Sequence, residues 1–117
     1  MFEKDLQIGY LLDFYGEVLP ERRREIMDLY YNDDLSLSEI AETFGITRQA
    51  VRETVKKTET ELYFYEEKLG LLRRFKEAEA HAQKALALCE GEGNIPDGLR
   101  EEIKALCAVV TTPEGVS

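Results

Sequence analysis

The stretch LSLSEIAETFGITRQAVRETV, Leu35 to Val55, leaves few alternatives for the middle of this chain. Ser36-Leu37-Ser38-Glu39 has the pattern of a capping box, in which the serine hydroxyl satisfies the Glu39 amide while the Glu39 side chain reaches back. A short helix is expected from there to about Phe44. Gly45 supplies a residue comfortable at positive φ, Thr47 can cap the next helix, and Arg48 begins it. Two helices joined by so tight a turn cross closely, and the small Ala41 stands where they do. Ile40 and Phe44 from the first helix, Ile46 from the turn, and Val51 and Val55 from the second fill the gap between them. The expectation is a helix-turn-helix.

The rest of the chain is helical in period, with few strand signals. Ile8, Leu11, Leu12, Tyr15 and Leu19 recur at three- and four-residue steps, which predicts a first helix from about residue 4 to Tyr15, ended by Gly16. Pro20 suits the first turn of a second helix, where its missing N–H costs nothing, and Glu21 favours the positive end of the dipole. Ile26, Met27 and Tyr30 give that helix its buried stripe, and Asn32–Asp34 break it. The helix beginning at Arg48 runs on until Gly70. A glycine inside a helix costs about 1 kcal/mol relative to Ala, so Gly70 marks either a kink or a boundary. Beyond it, Leu71, Phe75, Ala78, Ala82, Ala85 and Cys89 form a heptad-like seam with small residues in its middle. The seam suggests self-association, with packing against the chain's own last helix as the competing explanation. Glu90–Gly98 reads as a linker, and a last helix from about Leu99 to Val109 carries Ile103, Leu106 and Val110 on one face. The expected fold is all-α: a helix-turn-helix domain over residues 1–70, a C-terminal helical extension or oligomerisation segment over 71–110, and a flexible tail over 111–117.

Charge narrows the function. The formal net charge is −9, with 11 Lys/Arg against 16 Asp/Glu in residues 1–75 and 4 against 8 in residues 76–117. A protein that grips a phosphate backbone over a wide area presents a basic field, because released counterions supply much of its affinity. Neither half has one, so any nucleic-acid contact must be local. The chain has no apolar run of roughly 18 residues or more, and its acidic start MFEKDLQIGY is unlike a signal peptide, so a cytoplasmic protein without membrane insertion is expected. Cys89 and Cys107 have neither a CxxC spacing nor a nearby histidine, and read as small buried hydrophobes rather than metal or redox ligands. His81 sits among alanines, the carboxylates are spread along helix surfaces, and no glycine-rich loop is present to cradle phosphate. A non-enzymatic binding module with no cofactor is the reading.

The candidate contact residues lie on the second helix of the pair. At 100° per residue, Arg48, Gln49, Arg52 and Lys56 share an arc of about 100°, and Val51, Val55 and Thr58 occupy the adjoining arc. Arg can bridge guanine edges or phosphates and Gln can pair with adenine. Ser38 and Thr47 can add phosphate contacts near helix starts. The plainer reading of the same residues is that Arg52 and Lys56 balance Glu53 and Glu59 on a solvated face, leaving the scaffold to bind protein. Arg22, Arg23 and Arg24 raise the same choice, between a salt-bridge lattice with the flanking Glu21 and Glu25 and a phosphate grip. In LYFYEE (Leu62–Glu67), Tyr63, Phe64 and Tyr65 point to three sides of one helix, so at least one meets another helix or chain. Core or dimer contact is favoured over a base-stacking platform.

Over Leu11–Phe75 the chain resembles the YlxM family of small bacterial proteins, on the phrases LLDFYG, LYYNDDLSLSEIAE and TRQAV, followed by EEKLGLL. That family has a helix-turn-helix similar to region 4 of RNA polymerase sigma factors. The resemblance places the helix-turn-helix at Ser36–Val55, with Arg48, Gln49 and Ala50 opening its second helix, and Arg52 stands where an aromatic or polar residue is expected. It implies an accessory or regulatory role in the signal recognition particle pathway, with the particle's RNA and GTPase subunit as partners. A transcription regulator of sigma region 4 type, binding duplex DNA as a homodimer, is the alternative. A pure protein-interaction module is the third.

Overall fold

A computed structural model describes residues 5–91, 93 and 95–110. Among them are six α-helices and no strand: α1 (Leu6–Tyr15), α2 (Glu21–Tyr31), α3 (Leu37–Phe44), α4 (Arg48–Leu69), α5 (Leu71–Gly91) and α6 (Asp97–Val110), with a 3-10 turn at Gly16–Val18. The fold is all-α, and the chain divides into two compact units, Met1–Gly70 and Leu71–Ser117.

In the first unit α4 is the spine, packed against α1, α2 and α3. Its buried stripe Val51, Val55, Thr58 and Leu62 meets Ile8, Leu11, Leu12 and Tyr15 of α1, Ile26, Met27 and Tyr30 of α2, and Ile40 and Ala41 of α3 as one core. Each fully buried Ile, Leu or Val in it contributes about 1.5–3 kcal/mol. Asp5 caps α1 by accepting the Gln7 amide at 2.9 Å, so this helix starts at Leu6 rather than near residue 4. Pro20 stands one position outside α2: its backbone is extended (ψ 142°), and its carbonyl accepts the Arg24 amide at 3.0 Å. After α2 the break falls where the sequence placed it. Asp34 takes a left-handed φ of 56°, and the Leu35 amide turns back to the Leu29 carbonyl at 3.0 Å. Gly70 resolves to a boundary. Its φ of 62° ends α4, and its amide donates to the Glu66 carbonyl at 2.8 Å.

The second unit is a helical hairpin. Ala82 of α5 and Cys107 and Val110 of α6 form its core, with Phe75, Leu86 and Ile103 packed around them. The Cys107 thiol donates to the Ala82 carbonyl at 3.2 Å, and Arg100 donates to the Cys89 carbonyl at 3.2 Å, which sets the antiparallel register. Both cysteines are buried and form no disulfide. The seam is divided: Ala82 and Cys89 are buried and Phe75 and Ala85 half-buried, while Leu71 and Ala78 are exposed. Its buried part packs within the chain, against α6. Two sequence expectations move. Leu106 is 50% exposed and Cys107, one residue on, takes the buried position. The linker is also narrower than Glu90–Gly98, because α5 continues to Gly91 and α6 begins at Asp97. The expected tail, 111–117, lies outside the described residues.

Candidate nucleic-acid interface

The turn between α3 and α4 is built as its residues demand. Ser36 accepts the Glu39 amide at 3.1 Å, and the Glu39 carboxylate accepts the Ser36 amide at 2.8 Å. Those two bonds satisfy two of the four unpaired N–H groups that every helix start exposes. At the other end Gly45 adopts φ 67°, ψ 34°, and the Ile46 amide reaches the Ala41 carbonyl at 3.0 Å. Thr47 then caps α4 by accepting the Ala50 amide at 3.0 Å. Ile40 and Ala41 of α3 and Val51 and Val55 of α4 are buried, with Phe44 and Ile46 half-buried at the rim. The packing fixes how α4 is rotated. It sends one stripe of α4 outward.

Ser38, Thr47, Arg48, Gln49, Arg52 and Lys56 are all exposed. Arg48, Arg52 and Lys56 recur every four residues and span about 12 Å of the axis. None of the three forms an ion pair among the described residues, whose salt bridges include Arg23–Glu61, Arg24–Glu17, Lys68–Glu67 and Lys104–Glu101. Glu59, one of the two expected counter-charges beside Glu53, accepts the Tyr31 hydroxyl. Burial raises the Tyr31 and Tyr30 hydroxyls and nearby Glu59 raises them further, while Arg52 pulls Tyr30 the other way. Ser38, at the second position of α3, and Thr47, whose oxygen already serves the cap, flank the start of the stripe.

The Arg22–Arg24 cluster turns out to be engaged within the fold, through partners other than its helix neighbours. Arg23 donates to Glu61 at 2.8 Å and to Thr58 at 3.4 Å, tying α2 to α4. Arg24 pairs with Glu17 at 3.1 Å. Arg22 lies over the Phe44 ring at 5.4 Å. Among the three aromatics of LYFYEE, Tyr65 packs against Tyr15 with centroids 5.8 Å apart, Phe64 lies under Lys68, and the Tyr63 hydroxyl donates to Asp5. Tyr63 continues the outward stripe: it falls in angle between Arg52 and Lys56, about 10 Å further along the axis. In the sequence Tyr63 is grouped with its neighbours in LYFYEE and not with this stripe. The signal was present in the spacing.

Between Ser36 and Lys57 the chain carries four cations, Arg48, Arg52, Lys56 and Lys57, against three carboxylates, Glu39, Glu42 and Glu53. This stretch of a chain at −9 is thus not acidic, and neither is Lys68–Lys76, which carries Lys68, Arg73, Arg74 and Lys76 with no carboxylate. Among the described residues no group of three or more His, Cys, Asp or Glu is placed to hold a metal ion, and no helix is long and apolar enough to cross a membrane.

The family described as "Putative helix-turn-helix protein, YlxM / p13 like" matches residues 2–89. UPF0122 proteins of Bacillus cereus (strain Q1), Bacillus anthracis (strain A0248) and Bacillus thuringiensis subsp. konkukian (strain 97-27) are each similar to this chain, at 42% identity over 106 residues. The matches cover 91% of this chain and 96% of each relative.

Proposed function

This chain belongs to the YlxM/p13-like helix-turn-helix family, and on that premise we propose that it is a nucleic-acid-binding adaptor, not an enzyme, whose grip is the outward stripe of α4. One observation carries the reading: Arg48, Arg52 and Lys56 are exposed at one helical spacing with no carboxylate partner, while Arg23 and Arg24 are ion-paired within the fold. Unpaired cations on a rigid helix can neutralise phosphates without first breaking a salt bridge. In this reading Gln49 and Arg48, at the start of α4, meet base edges, and Ser38 and Thr47 position the backbone.

Within this reading the partners are the RNA of the signal recognition particle and the GTPase subunit that accompanies it, as the family resemblance implies. The acidic body suits a protein that works on such a complex. It repels bare phosphate away from the stripe and is drawn to the basic surfaces of RNA-binding proteins. A sigma region 4-type reader of duplex DNA would use the same stripe. It would need two recognition helices about 34 Å apart, and hence a dimer.

Fluorescence anisotropy of labelled signal recognition particle RNA, titrated with the full chain and competed with random duplex DNA, tests the assignment. Saturable binding that resists the competitor and falls at least tenfold in an Arg48→Ala/Arg52→Ala variant is the expected result. Equal displacement by duplex DNA would favour the transcription reading. Binding that the double substitution leaves unchanged would remove the stripe from the interface.

A further inference from the structure

We propose that Tyr63 is a stacking platform for one unpaired base of the RNA held by the α4 stripe, an inference that rests on reading that stripe as the grip. Tyr63 lies about 20° in helical angle from both Arg52 and Lys56, so a strand following the cations along α4 arrives at its ring. The residue is 39% exposed. Its hydroxyl donates to one carboxylate oxygen of Asp5, whose other oxygen accepts the Gln7 amide in the cap of α1. The ring is therefore open to solvent on the stripe and anchored at its far end, which leaves little side-chain freedom to lose on binding. Burial and the Asp5 hydrogen bond push the hydroxyl up to about 12, so the tether stays protonated at neutral pH.

The neighbouring aromatics are differently placed. Phe64 is more exposed, at 55%, but lies 100° around the helix and has Lys68 over its ring at 5.6 Å. Tyr65 is half-buried against Tyr15. The charges around Tyr63 separate backbone from base. Asp5 from α1 and Glu59 from α4 both lie close enough to act on its hydroxyl, and carboxylates repel phosphate. The backbone is held at Arg48, Arg52 and Lys56, and what reaches Tyr63 is an uncharged ring. Paired bases cannot do this. Tyr63 is about 22 Å along the axis from Arg48, beyond the roughly 12 Å width of a duplex major groove, and duplex bases are already stacked. Bases in loops and bulges are free to splay out onto an aromatic face.

The test uses the full chain and the RNA titrated above, with 2-aminopurine replacing an unpaired base, alongside the same RNA annealed to its full complement. Tyr63→Ala should weaken binding to the folded RNA about tenfold, within the range that base stacking on aromatic side chains supplies, and leave the annealed form unaffected. Tyr63→Phe keeps the ring and loses the tether, and should stay within about threefold of the parent. Quenching of 2-aminopurine on binding should persist in Tyr63→Phe and vanish in Tyr63→Ala, a readout that a merely weakened fold would not produce. Phe64→Ala should change neither. If Tyr63→Ala binds and quenches like the parent while Arg48→Ala/Arg52→Ala loses affinity, the platform is wrong and the stripe stands. If the unaltered chain binds no RNA, both fall.

Discussion

Glu39 is fully exposed, yet two hydrogen bonds with Ser36 hold its carboxyl below the ordinary value of 4.5, the backbone amide of Ser36 being the larger cause and its side chain the second. An acid lowered by folding stabilises the fold most above its ordinary value, and that contribution is lost as pH falls through the lower, folded value. In an NMR titration the Glu39 carboxyl should therefore have a midpoint under 4.5, and Ser36→Ala should move it upward. A midpoint at or above 4.5 in the parent would mean that the box does not hold α3 in solution. Such local features were legible from the sequence because every partner lies within three residues, and Gly45 was legible because the turn demands positive φ. Asp34 was not. Nothing in Asn32-Asp33-Asp34 says which of three similar residues takes the left-handed φ of 56°.

Between elements, sequence spacing loses its hold. Arg23 has Glu21 and Glu25 as sequence neighbours, yet it reaches Glu61, 38 positions away, because α2 packs on α4. Separations of 51 and 28 positions likewise hid the Tyr15–Glu66 and Tyr31–Glu59 bonds, which also fasten helices to α4. These bonds divide the cations of the first unit into those that brace and those that face outward, and the two sets should respond to substitution in opposite ways. Arg23→Met should lower stability by about 1 kcal/mol in urea unfolding, a modest figure because the Arg23–Glu61 pair keeps partial solvent access. It should leave RNA affinity alone. Arg48→Ala/Arg52→Ala should leave stability within about 0.5 kcal/mol and reduce the slope of log affinity against log salt by roughly 1–2. A loss of affinity in Arg23→Met with its fold intact would put the brace and the grip on one surface and contradict the division.

For the molecule as a whole, the charge of −9 sets two salt responses of opposite sign. Phosphate contact weakens as salt rises, whereas association of two acidic chains is opposed by their mutual repulsion and strengthens as salt screens it. A surface for such association remains in the second unit once its internal packing is counted. Leu71 and Ala78 of α5 and Leu99, Leu106 and Val109 of α6 are exposed. With Ala82 level with Cys107 and Cys89 level with Arg100, helical angles put Leu71, Ala78 and Ala85 on the same side of the hairpin as Leu99 and Leu106. The seam legible in the sequence thus has two sides, and α6 covers one of them. The alanines would let another helix approach closely, and a face only two helices wide is small for a specific interface. A dimer formed through this face would depend on salt. Sedimentation at about 50 mM and 500 mM salt should show the dimer fraction rising with salt, and Ala78→Glu should abolish it without loss of helicity. A chain that stays monomeric at tens of micromolar in high salt, or an Ala78→Glu variant that dimerises unchanged, would remove this face from consideration. The duplex-DNA reading would then lack the second recognition helix it requires.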